Sequence, residues 1–251
     1  MSSLKGRVAI ITGGGTGVGR GIALALADRG AQVVVCGRKP EPLAAVRREI
    51  ETRGGVAFDV TCDVSDPHAR SHLVARTLET CGAINILVNN AASIPRASLL
   101  ETSDEAVQQA WETGPLAALG LMRLCHPHLK GGGTIVNVSS GSAIAAQSPT
   151  HGIYAAVKAA LNALSRAAAN EWGGDGIRVN TIMPVARSEA FARWETEEPV
   201  LAAAVTRNIP LGRVGDCEPD IGRVVAFLVG PDAGYITGAI IPIDGGSAYV
   251  R

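Results

Sequence analysis

A doubly wound α/β sheet is the fold class that the sequence predicts. Three observations carry it: short apolar runs recur from end to end, segments with helical spacing lie between them, and a glycine cluster follows the first run. The runs are Val8 to Ile11, Val33 to Cys36, Val56 to Val60, Ile84 to Val88, Ile135 to Val138, Val179 to Ile182 and Ile240 to Ile243. They are apolar throughout rather than alternating, so they read as strands of a parallel sheet with helices on both faces. Between the first two, Val18, Ile22, Ala25 and Leu26 stand at i, i+4, i+7 and i+8, one face of a helix. No low-complexity linker or solenoid-period repeat divides the chain, and residues 1–251 read as one domain.

Composition narrows the function classes. With 47% apolar residues in a chain of 251, a sizeable core is available and disorder is excluded. The 23 basic and 23 acidic side chains cancel, which argues against nucleic acid or an anionic membrane as partner. The five cysteines, Cys36, Cys62, Cys81, Cys125 and Cys217, form no CxxC pair or metal-type cluster and read as reduced, mostly buried thiols. The apolar run after Lys5 and Arg7 is too short for a signal peptide, and the charge-free stretch Gly131 to Val157 is too polar for a bilayer span. A cytoplasmic protein without bound metal is the expectation. Thirty glycines exceed the usual ~7% and point to turns or close backbone approaches.

Directly after the first run comes Thr12-Gly13-Gly14-Gly15-Thr16-Gly17-Val18-Gly19. Glycines at a strand-to-helix turn bring bare N–H groups and a helix N-terminus up to a pyrophosphate, which makes Gly13, Gly15, Thr16, Gly17, Val18 and Gly19 candidate cofactor residues. After the second run, where an acid would read a ribose 2′-hydroxyl, stand Gly37, Arg38 and Lys39. A carboxylate repels a 2′-phosphate, whereas Arg38 grips one through charge-assisted bonds. NADP(H) is therefore expected in preference to NAD(H), which stays possible. Asp63, ahead of Val64, either bonds the adenine amine or caps a helix starting near Ser65.

Tyr154 and Lys158 share a helix face at i, i+4 near the start of an alanine-rich stretch. A nearby ammonium favours the phenolate and is expected to move the tyrosine pKa down toward working range, which makes a proton donor for a carbonyl oxygen. Upstream, the fifth run ends in Asn137-Val138-Ser139-Ser140, at the strand ends where an open parallel sheet places its ligand crevice. Ser140 is the candidate that stabilises the substrate oxygen, with Ser139 and Ser142 as competitors.

Together these residues resemble the classical short-chain dehydrogenase/reductase family. The resemblance spans the chain: TGxxxGxG at Thr12 to Gly19, Asp63, Asn89-Asn90-Ala91, Ser140, Tyr154 with Lys158, Asn180, Pro184, Pro210-Leu211-Gly212-Arg213 and Asp244-Gly245-Gly246. It implies a Rossmann-type domain with seven parallel strands, a bound nicotinamide, and hydride transfer between that ring and a carbonyl or alcohol carbon. It makes Tyr154 the acid/base, Lys158 the group that lowers its pKa and holds the nicotinamide ribose, and Ser140 the group that orients the substrate. It extends the cofactor set to Asp63, Val64, Asn89, Ala91 and Pro184, and the Gly-Arg pair at 37–38 is similar to that of NADP-preferring members. Four departures stand out: Gly114 followed by Pro115 where the family carries a catalytic Asn within a helix, a pair expected to remove an N–H and kink that helix, a serine-to-tyrosine spacing one residue longer than usual, Ala92 for the usual Gly, and Val185 with Glu189 where Gly and Thr are common.

An NADP(H)-dependent oxidoreductase acting on a ketone or secondary alcohol is the resulting expectation. The alternative is a nucleotide-binding regulatory or scaffold protein with weakened catalysis. A methyltransferase fits poorly, because it wants an acid where Arg38 stands. Residues 185–208 are expected to form a substrate lid, in which Phe191 and Trp194 either line a pocket or anchor the lid; Ile94 and Trp111 are weaker candidates for the opposite wall. The resemblance also implies a homodimer or homotetramer, with the tail from Ser247 through Tyr249 and Val250 to Arg251 as one contact.

Overall fold

The computed structural model describes residues 3–144 and 150–248. Seven parallel strands form one sheet in the order β3-β2-β1-β4-β5-β6-β7. They are β1 (Val8–Thr12), β2 (Gln32–Gly37), β3 (Val56–Thr61), β4 (Ile86–Asn89), β5 (Thr134–Val138), β6 (Arg178–Pro184) and β7 (Ile240–Ile243). Each expected run is a strand, with ends shifted by up to two residues. The order reverses beside β1, between strands that run on to β2 and to β4, which opens a crevice at the carboxyl ends there.

Helices cover both faces as the apolar runs predict. Successive side chains of β1 point to opposite faces, so Ala9 and Ile11 join one core while Ile10 joins the other. The first core packs the sheet against α1 (Gly17–Ala27), α2 (Pro40–Thr52) and α9 (Arg223–Val229) through Ile22, Leu26, Leu43, Ile50, Val225 and Leu228. On the opposite face, Leu73, Leu121, Met122 and Ala168 come from α3 (Pro67–Cys81), α5 (Pro115–Leu129) and α6 (Gly152–Trp172). Of three further helices, α4 (Asp104–Thr113) and α7 (Glu189–Glu197) line the crevice through Thr113, Glu189 and Arg193, and α8 (Pro199–Arg207) packs on α7. Two expected features differ. The edge strand β3 is not buried throughout, since Val56 is exposed and Asp59 pairs with Arg47 of α2. The Gly114-Pro115 pair separates two helices rather than kinking one, because Gly114 takes φ −95° and ψ −109°, outside the helical region.

All five cysteines are free thiols; Cys36, Cys62 and Cys125 are buried, and Cys81 and Cys217 are partly so. Among the described residues no cluster of three or more metal-ligating side chains occurs, and no helix is long and apolar enough to cross a membrane. The tail contact expected at Tyr249 to Arg251 falls outside the described residues.

A close backbone approach pins α1. It packs against a one-turn π-helix (Cys217–Gly222), where a Cβ on Gly222 would lie 2.4 Å from the Gly21 carbonyl oxygen, and one on Gly21 would lie 2.3 Å from the Cys217 backbone. Gly222→Ala is therefore expected to destabilise the protein by ~1–3 kcal/mol, through backbone overpacking. Urea unfolding tests this; an unchanged midpoint would show that the two segments separate without cost.

Candidate active site

A cleft of about 700 Å³ runs along the carboxyl ends of the strands, lined by Arg38 and Lys39 after β2 and by Tyr154 and Lys158 of α6. Its floor is built by β1 and its neighbours. Thr12 Oγ1, buried at the end of β1, accepts hydrogen bonds from the Asn90 and Ala91 N–H groups at 2.9 and 3.0 Å. The Asn90 amide donates back to the Thr12 carbonyl at 2.9 Å and to the Gly13 carbonyl at 3.2 Å. A Cβ on Gly19 would sit 2.2 Å from the Gly13 oxygen and 2.5 Å from the Asn90 amide nitrogen, so only glycine fits beneath this clamp. Gly17, the first residue of α1, has φ +52°, a conformation that glycine adopts at no steric cost.

Gly13, Thr16, Gly17, Val18, Arg38, Asp63, Val64, Ala91, Lys158 and Pro184 of the expected cofactor set line this cleft. Three others stand behind it. Gly15 lies against Pro42 and Leu43 at the start of α2. Gly19 is under the Asn90 clamp. Asn89 is buried in the sheet, where its amide donates to Asn137 Oδ1 at 2.8 Å, and the Asn137 amide donates to Ser165 Oγ at 2.8 Å. The cleft-lining asparagine is Asn90, and the doubled Asn in the motif was its sequence signal. Asp63 does not cap a helix: its Oδ1 accepts from the Ser65 N–H and hydroxyl at 2.9 and 2.7 Å, while Asp66 caps α3 by accepting from His68 N. Those Ser65 bonds, with the charge of Arg38 as a lesser cause, hold the Asp63 carboxyl below the usual range. Cys62, Ser93, Thr113, Ser188 and Arg193 also line the cleft, and no motif reading had singled them out.

At the catalytic end, α6 presents Tyr154 and Lys158 one turn apart. Lys158 is 5% exposed, and its Nζ donates to the Val138 carbonyl at 2.6 Å. Burial pulls the ammonium down to about 8. The expectation that Lys158 lowers the tyrosine pKa needs correcting. Nζ lies 5.7 Å from the Tyr154 ring centroid, turned to Val138, and burial raises the phenol above its ordinary value, with only a Ser140 hydrogen bond pulling it partly back. The three candidate serines differ in their partners. Ser139 is buried and donates to the Lys158 carbonyl at 3.3 Å, Ser142 uses its N–H to bond Ser140 Oγ at 3.2 Å, and Ser140 is the one bonded to Tyr154. The His151 ring stands 5.8 Å from the Tyr154 ring, and burial, then the charge of Arg96, lowers its pKa.

These residues fit a dinucleotide. A helix N-terminus whose N-cap residue, Thr16, makes no side-chain cap, a glycine turn closed by Asn90, and a cationic pair in a long cleft match the phosphates such a ligand carries. A family model described as enoyl-(acyl carrier protein) reductase matches residues 13–248. A 12α-hydroxysteroid dehydrogenase of a Clostridium species is 35% identical over 98% of this chain and 98% of its own. The chain belongs to the short-chain dehydrogenase/reductase family. Among solved structures of this family, a short-chain dehydrogenase of Burkholderia cenocepacia in complex with NADP superimposes with a TM-score of 0.91, at 31% identity over 98% of this chain and 99% of that one. A 7α-hydroxysteroid dehydrogenase complexed with NADH and 7-oxo glycochenodeoxycholic acid gives 0.92, at 31% identity over 98% and 96%. The short-chain dehydrogenase/reductase family is one of nicotinamide-dependent oxidoreductases, and it takes either dinucleotide.

Two departures from the family acquire geometry. Gly114 borders a cavity of about 10 Å³ shared with Asn89, Thr113 and Lys158, and Asn89 Oδ1 finds no hydrogen-bond partner among the described residues. A Cβ at Gly114 would lie 2.7 Å from the Ala110 carbonyl oxygen, so this backbone excludes the family's usual side chain. Glu189 is not turned toward the catalytic end: its Oε2 accepts from the Gly17 N–H at 2.8 Å.

The Lys158 environment yields a pH prediction. Between about 8, where the folded chain releases this proton, and 10.5, where the unfolded chain does, the unfolded state binds more protons, so stability from this group rises with pH. Below that window the buried charge costs its full desolvation. Relative to Lys158→Met, the wild-type protein is expected to gain unfolding free energy across the window in urea titrations; parallel pH dependences would contradict a desolvated ammonium.

Proposed function

We propose that this chain is an NADP(H)-dependent oxidoreductase that interconverts a ketone and a secondary alcohol, with Tyr154 as the acid/base. The observation that carries the reading is Tyr154, hydrogen-bonded to Ser140 and beside Lys158, at one end of a cleft whose other end holds Arg38. When bound, the nicotinamide supplies a hydride to the carbonyl carbon or takes one from the alcohol carbon. In reduction the Tyr154 hydroxyl gives its proton to the substrate oxygen and becomes a phenolate, and in oxidation it takes the proton back. A phenol raised by burial is fully protonated at neutral pH, which suits the donor role. Ser140 orients the substrate oxygen. Lys158 has two N–H groups beyond the one given to Val138, and these hold the nicotinamide ribose and steady the phenolate.

Preference for NADP(H) rests on Arg38 and Lys39, exposed at the cleft end with Asp63 already engaged by Ser65. The lid comprises α7 and α8 within residues 185–208. Phe191 and Trp194 pack edge-to-face at 5.4 Å and brace it, while Ile94 lines the cleft. Trp111 and Leu116, exposed on α4 and α5, support assembly as a homodimer or homotetramer.

Tyr154→Phe is expected to bind NADPH as the wild-type protein does while turnover falls by ~10²–10⁴. Fluorescence titration and steady-state rates over a panel of ketones, including the steroids named in two of the relatives, separate the two effects; undiminished turnover would remove Tyr154 as the acid. Steady NADPH oxidation with any member of the panel would also exclude the scaffold alternative. Arg38→Ala is expected to weaken NADPH binding by about 10- to 100-fold, the loss of a charge-assisted phosphate contact, and to leave NADH within about 2-fold. Equal losses for both dinucleotides would overturn the role of Arg38.

A further inference from the structure

The contact between Glu189 and Gly17 joins the lid to the glycine turn. Glu189 opens α7, and Gly17 opens α1. The carboxylate therefore lies at the positive ends of two helices, and it accepts the first N–H of α1 at 2.8 Å. Ser188 caps α7 by accepting from Phe191 N at 3.2 Å, and a Cβ on Gly17 would lie 3.1 Å from the Ser188 Cβ, so the start of the lid is seated directly on the turn. Neighbouring bonds hold the lid's entry in place: Arg187 N donates to the Gly215 carbonyl at 2.8 Å, and the Arg187 guanidinium pairs with Glu195.

An anionic oxygen on a glycine-turn N–H at a helix N-terminus is the arrangement that a diphosphate makes. Here the oxygen belongs to the chain itself. Two anions cannot share one N–H donor at close range without strong repulsion. We propose that Glu189 is a built-in occupant of the diphosphate subsite: it latches the lid to the glycine turn in the free protein, and a dinucleotide must displace it in order to bind. The proposal rests on the dinucleotide reading above and deepens it. Glu189 thereby sets cofactor affinity, and it ties lid release to cofactor binding without touching the reacting atoms.

The experiment is calorimetric titration of wild type, Glu189→Ala and Glu189→Gln with two probes: NADPH, and adenosine 2′-monophosphate, which carries the 2′-phosphate but no diphosphate. Glu189 is exposed, so both variants are expected to fold. Removing the carboxylate is expected to tighten NADPH about 3- to 10-fold, the worth of an exposed anion at a helix N-terminus plus relief of repulsion. Gln, which keeps an acceptor but no charge, should also tighten it, and the monophosphate should stay within about 2-fold in all three proteins. Amide exchange across α7 of the free protein should be faster in Glu189→Ala than in wild type. NADPH binding that is unchanged or weaker, an equal gain for both probes, or unaltered exchange in α7 would overturn the latch while leaving the oxidoreductase reading intact. Failure of all three proteins to bind NADPH or NADH would overturn that reading and the latch together.

Discussion

The Lys158 ammonium buried against the Val138 carbonyl is the constraint on which the catalytic end depends. Val138 is the last residue of β5 and Lys158 lies in the second turn of α6, so one charge-assisted bond of 2.6 Å fixes the helix to the strand end. The Ser139 hydroxyl repeats the tie by donating to the Lys158 carbonyl. With helix and strand end locked together, Ser140 and Tyr154 meet across the gap between them. The same bond commits one N–H of the ammonium to the strand end while Nζ stays 5.7 Å from the Tyr154 ring centroid, and burial holds the phenol of the free protein above its ordinary pKa.

The sheet supplies the other half of the arrangement. Because strand order reverses beside β1, the residues after β1 and β4 face one another across the crevice, and Thr12 and Asn90 clamp them into a single floor. That clamp sets the N-terminus of α1 at the middle of the cleft, between the cations that follow β2 and the tyrosine of α6. A helix N-terminus so placed attracts the first anion within reach, and in this chain that is Glu189. The start of α7 is consequently tied to the glycine turn.

Much of this was legible in the sequence, and the limits have physical causes. The strands could be read because both faces of a central parallel strand are buried, leaving apolar runs such as Val33 to Cys36; the reading was weakest at the edge, where Val56 and Asp59 of β3 meet solvent. Tyr154, Lys158 and Ser140 could be placed because an i, i+4 pair and a strand end define positions by covalent geometry alone. The direction of the tyrosine pKa could not, since it depends on where a flexible lysine spends its hydrogen bonds and on how much water reaches the ring. Asn89 and Asn90 are adjacent in a strand-to-loop turn, and a single residue decides which faces the sheet and which the cleft. The Glu189 contact spans 172 residues in sequence, and no local pattern encodes a pairing of that range.

The most direct measurement is the titration of Tyr154 itself. With three tyrosines in the chain, labelling with carbon-13 at Cζ and comparing spectra with those of Tyr154→Phe assigns its resonance in the free protein. The account predicts a midpoint above the ordinary phenol value of about 10, rising further when Ser140 is replaced by alanine. A midpoint below that value, or one indifferent to Ser140, would contradict it.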